Sequence, residues 1–188
     1  MKMENEHDII RIIYNDEWMM NILKTTQSLK LPDWWVCAGF VRSKVWDVLH
    51  GFDKRTATQD VDVVYFDKEN IAEAEEKRLE KVLHHTCPAI PWSVKNEARM
   101  HIRNNMTPYT SAEDAIAKFP ETVTAIGVKL DADDRLVLTV PHGVEDILNM
   151  IIRPTEFFLE KDKLMKIYHK RRTEKNWADK WKMITYSR

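Results

Sequence analysis

Apolar residues in the first thirty positions, Ile9, Ile10, Ile13, Met20 and Leu23, recur at mostly helical spacing until Leu31-Pro32 closes the segment. The pattern predicts an amphipathic packing helix over 6–30, with a natural break near Asn15-Asp16. Trp34 to Ala38 is apolar throughout and stops at Gly39, as a short buried strand would. Val41, Val45, Trp46, Val48 and Leu49 then suit a helix that His50-Gly51 can end. After a polar loop, Thr58 to Phe66 reads as a strand, with Val61, Val63 and Tyr65 on one face and Asp60 and Asp62 on the other.

The later pattern is scaffold with one exception. Lys68 to His84 reads as a charged helix, and Ser111 can cap a short helix that ends before Pro120. Thr122–Leu130 and Leu136–Val140 read as a hairpin, Glu145–Ile152 as a short helix, and Thr155 to about Arg172 as a last helix. The exception is Ser93 to Arg103, where apolar and ionisable residues alternate. That period of two predicts a strand with Lys95, Glu97, Arg99, His101 and Arg103 on one side.

Composition narrows the class. The 188 residues suit one domain, with residues 1–32 as an N-terminal helical packing segment and 155–188 as a C-terminal basic helical extension. A hydrophobic fraction of 44% beside 31% charged residues is that of a soluble protein, and no run is long enough to span a membrane. No secretion signal is visible, so the expected location is cytoplasmic and no membrane partner is expected. Cys37 and Cys87 fall in no zinc or disulfide pattern.

The formal net charge is −1, but residues 161–188 hold ten Lys or Arg against three Asp or Glu, a local excess of +7. A solvated helix face is the commoner meaning of such a run. Trp177 and Trp181, four residues apart, read as a hydrophobic clasp for the core rather than a base-stacking platform.

The chemistry concentrates in two stretches. Two carboxylates on one strand face repel, and the usual remedies are a raised pKa or a bound cation. Mg²⁺ (or Mn²⁺) is the natural ion, because it takes hard oxygen ligands and often needs only one or two carboxylates besides substrate phosphates. Upstream, a Gly turn opening a helix lets backbone N–H groups approach phosphate oxygens. An arginine such as Arg42 can clamp them. Asp47 reads as an acid on that helix's surface.

With Gly39-Phe40-Val41-Arg42, Asp47-Val48-Leu49-His50-Gly51 and Asp60-Val61-Asp62 in this order, the sequence resembles the nucleotidyltransferase superfamily related to DNA polymerase β. The run also resembles the head of tRNA CCA-adding enzymes, whose Gly-Gly-x-Val-Arg-Asp and Leu-x-Gly motifs it partly matches. Over Trp34 to Pro154 it is similar to a bacterial nucleotidyltransferase-like family of about this length. Phe40 is taken as its departure from the superfamily pattern, at a position where Gly or Ser is usual.

The resemblance implies an α+β fold, a nucleotidyltransferase-like mixed β-sheet flanked by helices. It also implies metal-dependent transfer of a nucleoside monophosphate from a nucleoside triphosphate to an acceptor, which is a small molecule, a protein or RNA. Asp60 and Asp62 are then the expected catalytic and metal-binding acids, and Glu97, on the ionisable face of its strand-like segment, is the candidate for the third. Gly39, Phe40, Arg42, Arg99 and His101 are the expected nucleotide-binding residues. The alternatives are a catalytically silent nucleotide or RNA binder, and a glycosyltransferase that uses Asp-x-Asp on a nucleotide sugar.

Overall fold

The computed structural model describes residues 2–187. Two N-terminal helices, α1 (Glu6–Tyr14) and α2 (Glu17–Gln27), make up the predicted helical segment and part at the expected break. They part where Asp16 leaves the helix to cap α2, its carboxylate accepting the Met19 N–H at 3.1 Å. Strand β1 (Trp35–Cys37) leads into α3 (Gly39–Leu49), and β2 (Val61–Tyr65) follows the loop. Helix α4 (Glu73–Thr86) crosses to β3 (Trp92–Asn96), and α5 (Glu97–Asn104) and α6 (Ala112–Ala117) come next. A hairpin of β4 (Gly127–Leu130) and β5 (Leu136–Thr139) precedes α7 (Glu145–Leu148), β6 (Ile151–Ile152), α8 (Glu156–Leu159), α9 (Asp162–Lys175) and β7 (Thr185–Tyr186).

The expected α+β class is what the chain adopts. The main sheet runs β3-β2-β1-β4-β5, with β2 and β3 parallel and the other neighbours antiparallel. The parallel pair needs a crossover, and α4 supplies it. One sheet face carries Val36, Val61, Val63, Tyr65, Val94 and Val128 into the main core, which also takes Ile9, Ile13, Leu23, Phe40 and Trp46 from the helices. Each such side chain, fully buried, contributes roughly 1.5–3 kcal/mol. The opposite face carries Trp35, Cys37 and Val64 against Ala112 and Ile116 of α6. Asp62 pairs in register with Cys37, which sets it on this second face at its open end.

Two sequence expectations change here. The alternation over 93–103 is a strand only to Asn96, because the Asn96 side chain caps a helix, accepting the Ala98 N–H at 3.1 Å. Its amide also donates to the carbonyls of Asp67 and Asn70, tying the end of β3 to the loop after β2. Asp47 is no surface acid. It is 4% exposed, and its carboxylate accepts the Thr56 N–H at 2.8 Å, the Thr56 hydroxyl at 2.6 Å and the Trp181 indole N–H at 2.9 Å. One buried acid thereby fixes the loop before β2 and seats the C-terminal tryptophan. Among the described residues no helix is long and apolar enough to cross a membrane.

Candidate functional site

Asp60 stands just ahead of β2 and is exposed, whereas Asp62 is partly buried on the strand. Burial first, and then the charge of Asp60, push the Asp62 carboxyl up to about 6, against the pull of the Ser93 hydroxyl, Lys175 and Arg171. The alternation seen in the sequence is physical here: Val61 and Val63 are fully buried on the other face.

The start of α3 forms a second wall. Ala38 holds φ +56° and ψ −119°, a conformation that glycine adopts without penalty and alanine does not. Its carbonyl accepts the N–H groups of Val41 and Arg42, and no side chain among the described residues caps the helix. Among the described residues this leaves the amides of Gly39 and Phe40 as the unpaired ones of the first turn. With Val41-Arg42 set on the Val-Arg of the Gly-Gly-x-Val-Arg-Asp pattern, Ala38 takes the place of the first Gly. On this alignment Phe40 falls on the open position, and the departures are Ala38 for the first Gly and Ser43 for the Asp. Phe40 is 1% exposed and packs into the main core, its ring centroid 5.9 Å from that of Trp18, so the nucleotide contact expected of it is not one its side chain can make. Ala38→Gly is expected to raise stability by about 1 kcal/mol by relieving the positive φ, read as a higher melting temperature.

Arg42 is 7% exposed and sits in a cage of three indoles, 4.0 Å from the Trp177 ring centroid, 5.2 Å from Trp46 and 5.6 Å from Trp181. Its Nη2 donates to the Ser43 hydroxyl at 3.3 Å, while its Nε has no hydrogen-bond partner among the described residues. Burial draws its pKa down to about 10, so the guanidinium stays charged at neutral pH.

These elements enclose a cavity of about 260 Å³. Ala38, Gly39, Arg42 and Ser43 line it from α3, Thr58, Gln59, Asp60 and Asp62 from β2 and the loop before it, and Thr124 from the turn ahead of β4. The C-terminal segment closes it with Arg171, Lys175, Trp177, Lys180 and Trp181. Part of the basic run thus borders the cavity, with Lys175 and Lys180 still exposed, and the tryptophans are the clasp that the sequence suggested, at 8% and 2% exposure. Arg171, Lys175, Lys180, Thr58, Gln59 and Thr124 were not singled out by sequence. For the cations the signal was present, since the run is visibly basic, but charge alone does not say which members face inward.

Glu97, Arg99 and His101 are not brought to this cavity. Glu97 opens α5, just past the last register pair of β2 and β3, Tyr65 with Asn96, and it is not among the residues that line the cavity. Among the described residues no group of three or more His, Cys, Asp or Glu is placed to hold a metal ion. Burial, with Glu76 and Asp62 next, pushes the Glu97 carboxyl up to about 8. Arg99 instead binds the fully buried Glu76, Nε to Oε1 at 3.1 Å and Nη2 to Oε2 at 2.9 Å. His101 lies one turn on, along α5.

A raised carboxyl means that stability present below the ordinary pKa of 4.5 is lost as pH climbs through about 8. Glu97→Gln is expected to remove that loss, so that above about pH 6, where Asp62 is also ionised, its melting temperature holds to about pH 8 while the parent's falls. The same variant is expected to keep metal-dependent nucleotide binding within a few-fold. Thermal melts across pH and a nucleotide titration check both.

A family model described as nucleotidyltransferase matches residues 24–186, and the chain belongs to that family. A solved structure described as a CCA-adding enzyme head domain superposes with a TM-score of 0.89 at 37% identity, covering 97% of this chain and 96% of that one. A CCA-adding enzyme in complex with CTP gives a TM-score of 0.60 at 14% identity, over 98% of this chain and 44% of that one. The Thermotoga maritima CCA-adding enzyme complexed with tRNA gives 0.55 at 14% identity, over 98% and 43%. At 14% identity the likeness is one of fold alone, and the chain spans less than half the length of those two enzymes. No protein of curated function matches the chain.

Proposed function

We propose that the chain transfers a nucleoside monophosphate from a nucleoside triphosphate to an acceptor hydroxyl or phosphate, with Mg²⁺ or Mn²⁺ held by Asp60 and Asp62. One observation carries the reading: an uncapped helix start, a caged arginine and a same-face acid pair share the walls of one cavity. The donor set fits a hard divalent cation, since two carboxylates converge there and burial, with the charge of Asp60, pushes the Asp62 carboxyl toward protonation. A divalent cation held by the pair would neutralise charge on the triphosphate and orient it for in-line displacement. Two acids suffice for an ion that completes its shell with water and phosphate oxygens, so Glu97 is not needed as a ligand.

The chain's own residues do the rest by position and charge, as phosphoryl transfer chiefly requires. The first amides of α3 and the Arg42 guanidinium meet phosphate oxygens, and the indole cage keeps that guanidinium from solvent. Thr58, Gln59 and Thr124 add neutral donors and acceptors around the cavity. Attack of the acceptor oxygen on the α-phosphorus breaks the bond to the β,γ-pyrophosphate, which leaves. The test is pyrophosphate release from each of the four ribonucleoside triphosphates with Mg²⁺ or Mn²⁺ and cell extract as the source of acceptor. Release that needs both metal and extract supports the reading. Metal-dependent binding without release under any pairing makes the chain a silent nucleotide binder.

A further inference from the structure

The C-terminal segment is basic, folds back over the cavity and places cations beside the acid pair. Lys175, at the end of α9, reaches the loop before β2, its Nζ 3.3 Å from Oε1 of Gln59, next in sequence to Asp60. Lys180 lines the same cavity one turn beyond, between the two tryptophans that cage Arg42. A lysine at a helix end also meets the helix dipole, and that alone would explain Lys175. It does not explain Lys180, nor an arginine buried beyond nine-tenths with an unpartnered Nε at the cavity wall.

Charge points the same way. Arg171 is matched by Glu121 through two hydrogen bonds, which leaves Arg42, Lys175 and Lys180 facing Asp60 and Asp62 in the cavity. A divalent cation on the acids turns this near balance into a positive excess. The polyphosphate of a nucleotide is the ligand whose charge and oxygen donors answer it.

We propose that the C-terminal segment is part of the nucleotide site: Lys175 and Lys180 clamp the polyphosphate, and Trp177 is a positioning residue that holds Arg42 toward it. The inference rests on the nucleotide reading of the cavity. It makes the C-terminal extension a component of binding, so that docking of the segment and engagement of phosphate favour each other.

The experiment titrates the full chain with inorganic tripolyphosphate, ATP and adenosine in Mg²⁺, comparing the parent with Lys175→Met/Lys180→Met, Trp177→Leu and Trp177→Phe. Each missing charged hydrogen bond to phosphate is expected to lower affinity about tenfold, so the double variant loses about a hundredfold for tripolyphosphate and ATP alike, with adenosine unchanged. Trp177→Leu is expected to lose about tenfold for the same two ligands, and Trp177→Phe, which keeps an aromatic face under the guanidinium, to recover most of it. Both lysines are accessible enough to replace without disturbing the core, and melting curves confirm that every variant is folded.

Unchanged tripolyphosphate affinity in the double variant overturns the clamp. So does unchanged affinity accompanied by tighter Mg²⁺ binding, which would make the lysines mere counter-ions of the acid pair. A lysine-dependent loss in a chain that releases no pyrophosphate upholds the clamp and removes the transfer reading. Pyrophosphate release by the parent together with unchanged tripolyphosphate affinity in the double variant does the reverse.

Discussion

Asp62→Asn, and Asp60→Asn beside it, are each expected to lower metal-dependent pyrophosphate release about a thousandfold or more while leaving the chain folded. The size follows from the several kcal/mol of charge stabilisation that a bound metal supplies, at about 1.4 kcal/mol per factor of ten. Asparagine keeps the shape and one oxygen but removes the charge that holds the ion. Folding is not expected to suffer, because in the metal-free chain Asp62 is already pushed toward protonation by its burial and by Asp60. Replacing either acid relieves that repulsion, so the variants should melt no lower than the parent without Mg²⁺. They should also lose the rise in melting temperature that Mg²⁺ with ATP gives the parent. Turnover within tenfold of the parent in either variant would remove that acid from the metal site.

The acid pair was legible in the sequence because its evidence is local. A strand has a period of two, so Asp60 and Asp62 had to share a face once Val61, Val63 and Tyr65 were assigned to the core. The Gly39 turn was legible for the same reason. Ala38 was less so, since nothing in an alanine announces a positive φ, and the conformation is imposed by β1 feeding directly into α3.

Glu97 and Arg99 were misplaced by a pattern that serves two structures. The residues at 94, 96, 98 and 100 are mostly apolar and fit a strand of period two, yet Asn96 supplies a cap and Glu, Ala, Arg and Met are all good helix formers. Ile102, assigned to the apolar face by that pattern, is 62% exposed. The closure of the cavity by residues 171–181 was not legible at all, because it depends on contacts a hundred residues apart. The hydrogen bond from Trp181 to Asp47 and that from Lys175 to Gln59 are both of this kind.

Arg171→Ala is expected to destabilise the chain by about 3 kcal/mol and to loosen its C-terminal segment. Helix α9 buries only Leu164 and Tyr168, a thin stripe for fourteen residues, so it depends on polar anchors more than most helices do. Its anchor is Glu121, 2% exposed, which accepts Arg171 Nε at 2.9 Å and Nη2 at 3.2 Å and the Thr124 hydroxyl at 2.8 Å. Removing the arginine leaves a buried carboxylate with the threonine hydroxyl as its remaining side-chain donor. Breaking a buried pair in this way costs about 3–5 kcal/mol, and the low end applies because the Arg171 side chain is 31% exposed and therefore partly screened. In a chain of this size that is a fall of roughly 6–12 °C in melting temperature. Adding Glu121→Gln to Arg171→Ala removes the orphaned charge, so the double variant should recover a good part of the loss. Hydrogen exchange should show residues 162–187 opening in Arg171→Ala well before β1 and β2. A melting temperature within about 1 °C of the parent, or a double variant less stable than Arg171→Ala alone, would show that the segment is held by its tryptophans and not by this ion pair.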